Sequence, residues 1–321
     1  MSANILIIHG IVRLVRLKEL KKTRFMVEKK LCFAIFGNTS KAFDTLQIVD
    51  ILDYLAVREA DVYVEHGFYH VLEKELKKSF SVAGLFEGVN FDVDYVISLG
   101  GDGTFLKAAS KVGPKQIPII GVNMGRLGFL ANVAPEEIRR VLDDVFEGRF
   151  EIEERAVIEL KTDGEVLENC PFALNDIAVL KRDNAAMISI KASVNGEYLV
   201  TYLADGLVIS TPTGSTAYSL SVGGPIIVPQ SGILSMTAVA PHSLNIRPIV
   251  ISDESEIKLE VQSRSHNFLA AVDGRSEKLC EGVTLTIKKA AHKVRIVKTD
   301  GQRFFSTLRE KLMWGADTRQ F

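Results

Sequence analysis

One carboxylate and one hydroxyl sit among glycines at Gly100-Gly101-Asp102-Gly103-Thr104. A carboxylate within hydrogen-bond reach can take the proton of a hydroxyl nucleophile. Glycines let backbone N–H groups close on an anion, and a helix start adds N–H groups of its own. The pattern predicts an anionic ligand beside a single acid. Glycine-rich turns also arise for purely local backbone reasons, so the turn alone leaves both readings open. It lacks the glycine spacing of a dinucleotide fingerprint and the Gly-Lys-Ser/Thr ending of a P-loop.

The flanking residues say what must hold this turn. Tyr95, Val96, Ile97 and Leu99 form a short apolar run of strand formers, and a helix is predicted over 104–111. A second glycine-bearing turn, 123–130, follows a strand predicted over 117–122. Further elements are a first strand and turn over 27–38, a helix over 43–56, a strand over 60–65, a helix over 70–78 and a helix over 135–147. Strands alternating with helices predict an open parallel sheet covered on both faces, with ligands at the carboxyl ends of its strands. His66 and His70 are four residues apart and can share a helix face, but no carboxylate partner in the sequence completes a metal motif.

From Gly148 to about Gly301 strand-length runs dominate. Predicted strands are 155–162, 172–180, 187–194, 198–203, 234–239, 256–261, 268–272, 284–287 and 294–297. Asn195-Gly196 is a strong hairpin signal. This is an all-β second domain, read as two packed sheets. Within it, 202–225 concentrates hydroxyls and glycines. A face carrying Ser215, Thr216, Tyr218 and Ser221 would suit sugar hydroxyls and a base, and Thr213 or Ser215 would cap a short helix. A hydroxyl-rich loop with ordinary caps is the competing reading. Leu308, Arg309, Lys311 and Leu312 belong to a closing helix that returns to the first domain.

With 321 residues the chain is long enough for two domains. Its formal charge of -1 gives no broad nucleic-acid surface. No apolar run reaches membrane-spanning length. Cys32, Cys170 and Cys280 are widely spaced and read as reduced, mostly buried residues of a cytosolic chain. The six histidines offer no metal-ligand spacing. Residues 1–25 are an atypical basic leader, read as a disordered arm or a start-site artefact with Met26 as the alternative start; a genuine extra strand and helix is the competing reading. The expected organisation is this leader, an α/β domain over 26–147, a β-rich domain over 148–303 and a closing helix over 304–321.

The two islands together resemble the NAD kinase family. The resemblance rests on Gly-Gly-Asp-Gly-Thr after a strand, 123–130 after the next strand, Leu174-Asn175-Asp176, Asp205-Gly206, 211–221 with Gly223-Gly224-Pro225, and Val272-Asp273-Gly274. It runs from about Leu31 to the end. The glycine turn alone is shared with diacylglycerol and sphingosine kinases. The hydroxyl-rich island separates NAD kinases from them.

The resemblance implies an α/β N-terminal domain resembling phosphofructokinase and an all-β, sandwich-like C-terminal domain. It implies transfer of the terminal phosphoryl group of ATP, with Mg²⁺ or Mn²⁺, to the 2′-hydroxyl of the adenosine ribose of NAD, giving NADP and ADP. Asp102 matches the acid-base residue, and Gly101, Gly103 and Thr104 the phosphate turn. Phe129 matches the aromatic beside adenine or ribose, and Asn175 and Asp176 the pair that holds ribose hydroxyls. Thr216, Ala217, Tyr218 and Ser221 match the segment contacting adenine and the nicotinamide end. Asp205 matches an acid near the nicotinamide side, Arg182 is matched to a phosphate, and Asp273 is left without a role. Position 176 departs from the family, which usually has Glu there. A cytoplasmic dimer or tetramer is implied. The rivals are a related lipid or sugar kinase and a non-catalytic dinucleotide sensor.

Overall fold

A computed structural model describes residues 30–38, 45–77, 79–125, 128–164, 166–182, 186–298 and 304–315. The leader expected over 1–25 lies outside them. The first domain runs β1 (Cys32–Gly37), α1 (Thr45–Val57), β2 (Asp61–Glu65), α2 (His66–Leu76), β3 (Gly84–Phe86), β4 (Tyr95–Gly100), α3 (Asp102–Val112), β5 (Ile119–Asn123) and α4 (Ile138–Phe146). After β6 (Glu151–Arg155), the second domain holds β7 (Ile158–Thr162), β8 (Phe172–Ala173), β9 (Asp176–Lys181), β10 (Ile188–Val194), β11 (Glu197–Ala204) and β12 (Gly206–Ser210). It continues with α5 (Tyr218–Ser221), β13 (Ile233–Val239), β14 (Ile249–Ser252), β15 (Ile257–Gln262), β16 (Asn267–Val272), β17 (Arg275–Cys280) and β18 (Thr284–Lys289). The chain closes with β19 (Val294–Lys298) and α6 (Phe304–Leu312).

The first sheet has the order β3-β2-β1-β4-β5-β19-β6. Its first six strands run parallel, and β6 runs antiparallel to β19. β1, β4 and β5 are almost wholly buried and mostly apolar because helices cover both faces, as parallel sheets require. Phe33, Ile35, Ile97, Leu99 and Val122 face one apolar cluster; Ala34, Phe36, Val96 and Ile119 face the other, with Phe105 of α3. Here the sheet crosses the expected boundary at 148. The strand expected over 155–162 breaks in two, β6 joining the first sheet and β7 the second domain, and β19 returns to the first sheet. The helix expected over 70–78 begins at His66, and the short strand β3 had no expectation.

The second domain is two antiparallel six-stranded sheets, ordered β11-β10-β15-β18-β7-β8 and β14-β13-β12-β9-β16-β17. Their inner faces share one cluster, including Ile190, Leu259, Ile177, Ile209 and Phe268. Asn195 (φ 53°) and Gly196 (φ 83°) close the β10–β11 hairpin, as the dipeptide predicts. The cysteines differ from expectation: Cys32 and Cys170 are half-buried and Cys280 is exposed. Among the described residues no helix is long and apolar enough to cross a membrane.

Candidate functional site

The glycine turn lies at the carboxyl end of β4, where an open parallel sheet presents ligands. Gly101 is the N-cap of α3, with Asp102 and Thr104 in its first turn. A Cβ on Gly101 or Gly103 would meet no atom of the chain within 4 Å, and neither residue has positive φ. Internal packing therefore does not require glycine at either position. Both leave backbone open to an incoming group.

Asp102 is tied to the second glycine turn. Its Oδ2 accepts the N–H of Phe129 at 2.9 Å, and its Oδ1 accepts those of Leu130 and Ala131 at 3.0 Å each. A Cβ on Gly128 would lie 2.0 Å from Oδ1, so only glycine lets the loop approach so closely. An ionised carboxylate offers about four acceptor positions. Three are filled by the backbone. Near the fourth, Lys311 Nζ of α6 lies 3.4 Å from Oδ2 and 4.5 Å from the centre of the Phe129 ring. Phe304 of the same helix packs on Phe129 at 6.3 Å between ring centres. These contacts bring the closing helix to the first domain, but nothing in the sequence marks Lys311 as Asp102's neighbour.

A second polar cluster is built at the start of β9. The N–H groups of Leu174, Asn175 and Asp176 all point to the Asp273 carboxylate, at 2.8, 2.8 and 3.2 Å. Asp273 (φ 47°) and Gly274 (φ 77°) form the β16–β17 turn, a conformation Asp tolerates and Gly prefers. The residue without a role at the sequence level is therefore the clamp that shapes 174–176. Leu174 packs into the cluster that includes Phe105 of α3, joining this segment to the Asp102 helix.

Asp176 is buried. Burial and the neighbouring Asp273 carboxylate push its pKa up to about 7, against a hydrogen bond from the Tyr218 backbone N–H that lowers it. Burial raises Asp273 too, opposed by the three N–H groups it accepts and by Arg275. The Tyr218 phenol is raised by burial, and the Asp176 and Asp205 carboxylates add to that.

The hydroxyl-rich island lies over the outer face of the β9 sheet, where Ala178, Val208 and Ala271 form a small apolar patch with Leu180, Val222 and Val239. Its hydroxyls divide into two groups. Ser215 is fully buried, bonding Pro212 O at 2.7 Å and receiving the Ile227 N–H at 3.0 Å. It is a structural residue, not part of a ligand-gripping face. Thr211 rather than Thr213 or Ser215 accepts the Gly214 N–H, and it also donates to Leu174 O. Thr213 accepts from buried Arg155 of β6 at 3.2 Å, an anchor from the first sheet that the sequence does not reveal. Thr216, Ala217, Tyr218 and Ser221 remain at least partly exposed.

Asp205 and Arg182 lie at the other end of β9. The Lys181 N–H donates to Asp205 O, and Lys181 Nζ lies 2.7 Å from Asp205 Oδ1. Arg182 donates to Asn267 Oδ1 at 3.2 Å. Six residues of extended chain put Arg182 about 20 Å from Asp176. The structure therefore forms two clusters, Asp102–Phe129–Lys311 and Asp176–Asp273–Tyr218, with Asp205 and Arg182 beyond the second. Among the described residues no group of three or more His, Cys, Asp or Glu side chains could hold a metal ion.

A glycine turn at the carboxyl end of the central strand β4, together with a hydroxyl-rich island in a β domain, is an arrangement that suits a two-domain phosphotransferase. The description "ATP-NAD kinase N-terminal domain" matches residues 33–150, and "ATP-NAD kinase C-terminal domain" matches 174–299. An NAD kinase of Bacteroides fragilis is 54% identical over 287 residues, covering 89% of this chain and 99% of that protein. One of Porphyromonas gingivalis is 42% identical over 286 residues, again covering 89% and 99%. The fold matches yeast NADH kinase complexed with NADH (TM-score 0.81, 24% identity, 91% of this chain and 90% of that chain). It also matches an Archaeoglobus fulgidus NAD kinase in complex with ATP (TM-score 0.69, 25% identity, 88% and 99%). The chain belongs to the NAD kinase family.

Proposed function

We propose that ATP gives its terminal phosphoryl group to the 2′-hydroxyl of the adenosine ribose of NAD beside Asp102. The chain is a phosphotransferase that converts NAD to NADP with ATP as donor. Identity of 54% across 99% of the Bacteroides fragilis NAD kinase carries that reading. In the step, the ribose oxygen bonds to the terminal phosphorus as the bridging oxygen leaves with ADP, and Asp102 accepts the hydroxyl proton through its remaining acceptor position.

Phosphate approaches the open backbone of Gly101 and Gly103 at the start of α3, where Thr104 stands in the first turn. Phe129 borders the adenosine. Asn175 and Asp176 hold ribose hydroxyls. Thr216, Ala217, Tyr218 and Ser221 line the adenine and nicotinamide end, with Asp205 beyond Tyr218 and Arg182 set to meet a phosphate. The burial of Asp176 beside half-exposed Tyr218 supports an acceptor site there. The described residues do not form a resident metal cage. We assign Mg²⁺ or Mn²⁺ to the phosphates of ATP and to water, the usual arrangement for this ion. The first domain is taken as phosphofructokinase-like and the assembly as a cytoplasmic dimer or tetramer.

The test incubates purified protein and Mg²⁺ with ATP or polyphosphate and with NAD or NADH, followed by chromatography. NADP formed from ATP and NAD is expected. Phosphorylation of a diacylglycerol or a sphingoid base with NAD untouched would overturn the reading. Tight NAD binding without turnover would indicate a sensor.

A further inference from the structure

His66 and His70 lie on one face at the start of α2, and the structure supplies carboxylates that their sequence spacing lacks. His66 Nδ1 is 3.3 Å from Glu87 Oε1, and His70 Nδ1 is 3.5 Å from Glu73 Oε2. Glu73 also accepts from Ser79 at 3.1 Å, which holds it in place. The two Nε2 atoms face each other at 3.1 Å. Ring centres are 4.4 Å apart with an interplanar angle of 86°, so the rings lean together rather than lining up end to end.

A carboxylate at Nδ1 favours the tautomer with the proton on that nitrogen. With both rings so held, both Nε2 atoms present lone pairs. Two lone pairs at this distance repel unless a cation or a proton lies between them. Nitrogens bound about 2.0–2.1 Å from one ion at angles near 90–110° stand about 2.9–3.4 Å apart, which brackets the observed spacing. Imidazole suits zinc, copper and nickel, and a carboxylate behind each ligating ring is the usual outer support. The neighbouring carboxylate, Glu65, is committed to Lys107 at 2.7 Å.

We propose that His66 and His70 are a two-nitrogen site for a divalent transition metal. Glu87 and Glu73 orient the rings, and water fills the remaining positions. The site lies at the carboxyl ends of β2 and β3, separated from the Asp102 turn by β1 in the sheet order. It is independent of the phosphoryl-transfer reading.

The test is calorimetric titration of ZnCl₂ into the full chain without nucleotide, in a non-chelating buffer. The parent is compared with His66→Asn, His70→Asn, Glu73→Gln and Glu87→Gln. One ion per chain is expected, bound at least ~10-fold more weakly by either histidine variant and roughly 10-fold more weakly by either glutamate variant. Copper(II) electron paramagnetic resonance reads the ligands directly: two nitrogen couplings in the parent and one in His70→Asn. NADP formation with Mg²⁺ but no added transition metal, and thermal melting without metal, should match the parent in both histidine variants, separating lost ligation from lost folding. The proposal is overturned by a parent that takes up no ion. It is also overturned by histidine variants that bind as the parent does, which would place the ion elsewhere and leave a shared proton between the rings.

Discussion

Lys311 Nζ stands 3.4 Å from Asp102 Oδ2 and 4.5 Å from the centre of the Phe129 ring, so a residue near the end of the last helix occupies the glycine turn of the first sheet. Three backbone N–H groups already fill most of the Asp102 carboxylate. The ammonium therefore stands where, on the proposed function, an incoming hydroxyl would bond, and a lysine displaced from there would be free to pair with the transferring phosphate. A hydrogen bond to a charged group contributes about 1.5–3 kcal/mol, or roughly 10–100-fold in rate. Lys311→Met should lower kcat by that factor while KM for NAD stays the same or falls. Lys311→Arg should retain part of the rate. Parent kinetics in Lys311→Met would show the contact to be incidental.

Asp102→Asn tests the acid itself. The amide keeps one acceptor oxygen but sets an NH₂ against a backbone N–H, so the 129–131 loop loosens while the β9 side stays intact. Turnover should fall about 10²–10⁴-fold, with NAD affinity by calorimetry largely preserved. Near-parent turnover at saturating NAD and ATP would remove Asp102 from the chemistry.

Gly103→Ala separates ligand approach from folding. No chain atom lies within 4 Å of the new Cβ, and the residue is in the first turn of α3. Alanine in a helix is favoured over glycine by up to about 1 kcal/mol. Thermal stability should hold or rise while KM for ATP increases several-fold. A variant that melts lower, with unchanged KM, would mean that the glycine serves the backbone alone.

How much of this was legible in the sequence depended on how far each signal reaches along the chain. The strand–turn–helix around Asp102 is local, and so is the Asn195-Gly196 hairpin; both are present as expected. β6 and β19 look like any other strands of the β region. Their membership of the first sheet depends on pairing between residues more than a hundred apart, such as Arg295 with Glu154. Separation along the chain also hides Lys311 from Asp102 (209 residues), Arg155 from Thr213 (58) and Asp273 from Asn175 (98). Ser215 shows the opposite error: a hydroxyl in a promising run proved to be an internal tie to Ile227. Composition marks where hydroxyls concentrate, but only packing decides which of them face outward.

Asp273→Asn addresses the clamp. The φ of 47° suits Asn as well as Asp, so the turn itself should survive. One carboxylate oxygen becomes a donor facing an N–H of the 174–176 segment. Leaving a buried donor unsatisfied costs about 1–3 kcal/mol, so the denaturation midpoint should drop with an unchanged slope, and NAD binding should weaken with it. An unchanged midpoint would show that the three hydrogen bonds contribute little to stability.

Asp176 gives the pH dependence. Its pKa is pushed up to about 7 in the folded protein, first by burial and then by Asp273, from an ordinary value of 3.8. Between those values the native state binds a proton that the unfolded chain has released. This contribution to stability is therefore complete below about pH 4 and is lost as pH rises through 7. The shift corresponds to about 4 kcal/mol at most. Asp176→Asn should be more stable than the parent at pH 8 and no more stable at pH 4, by urea denaturation at both. Binding runs the other way. Ribose hydroxyls donate best to the ionised carboxylate, so NAD affinity of the parent should rise as pH climbs past 7. The variant should bind NAD more weakly at pH 8, with that rise removed. If the parent's stability does not fall relative to the variant's between pH 4 and 8, Asp176 is not the buried acid described, and the ribose contact assigned to it loses its physical basis.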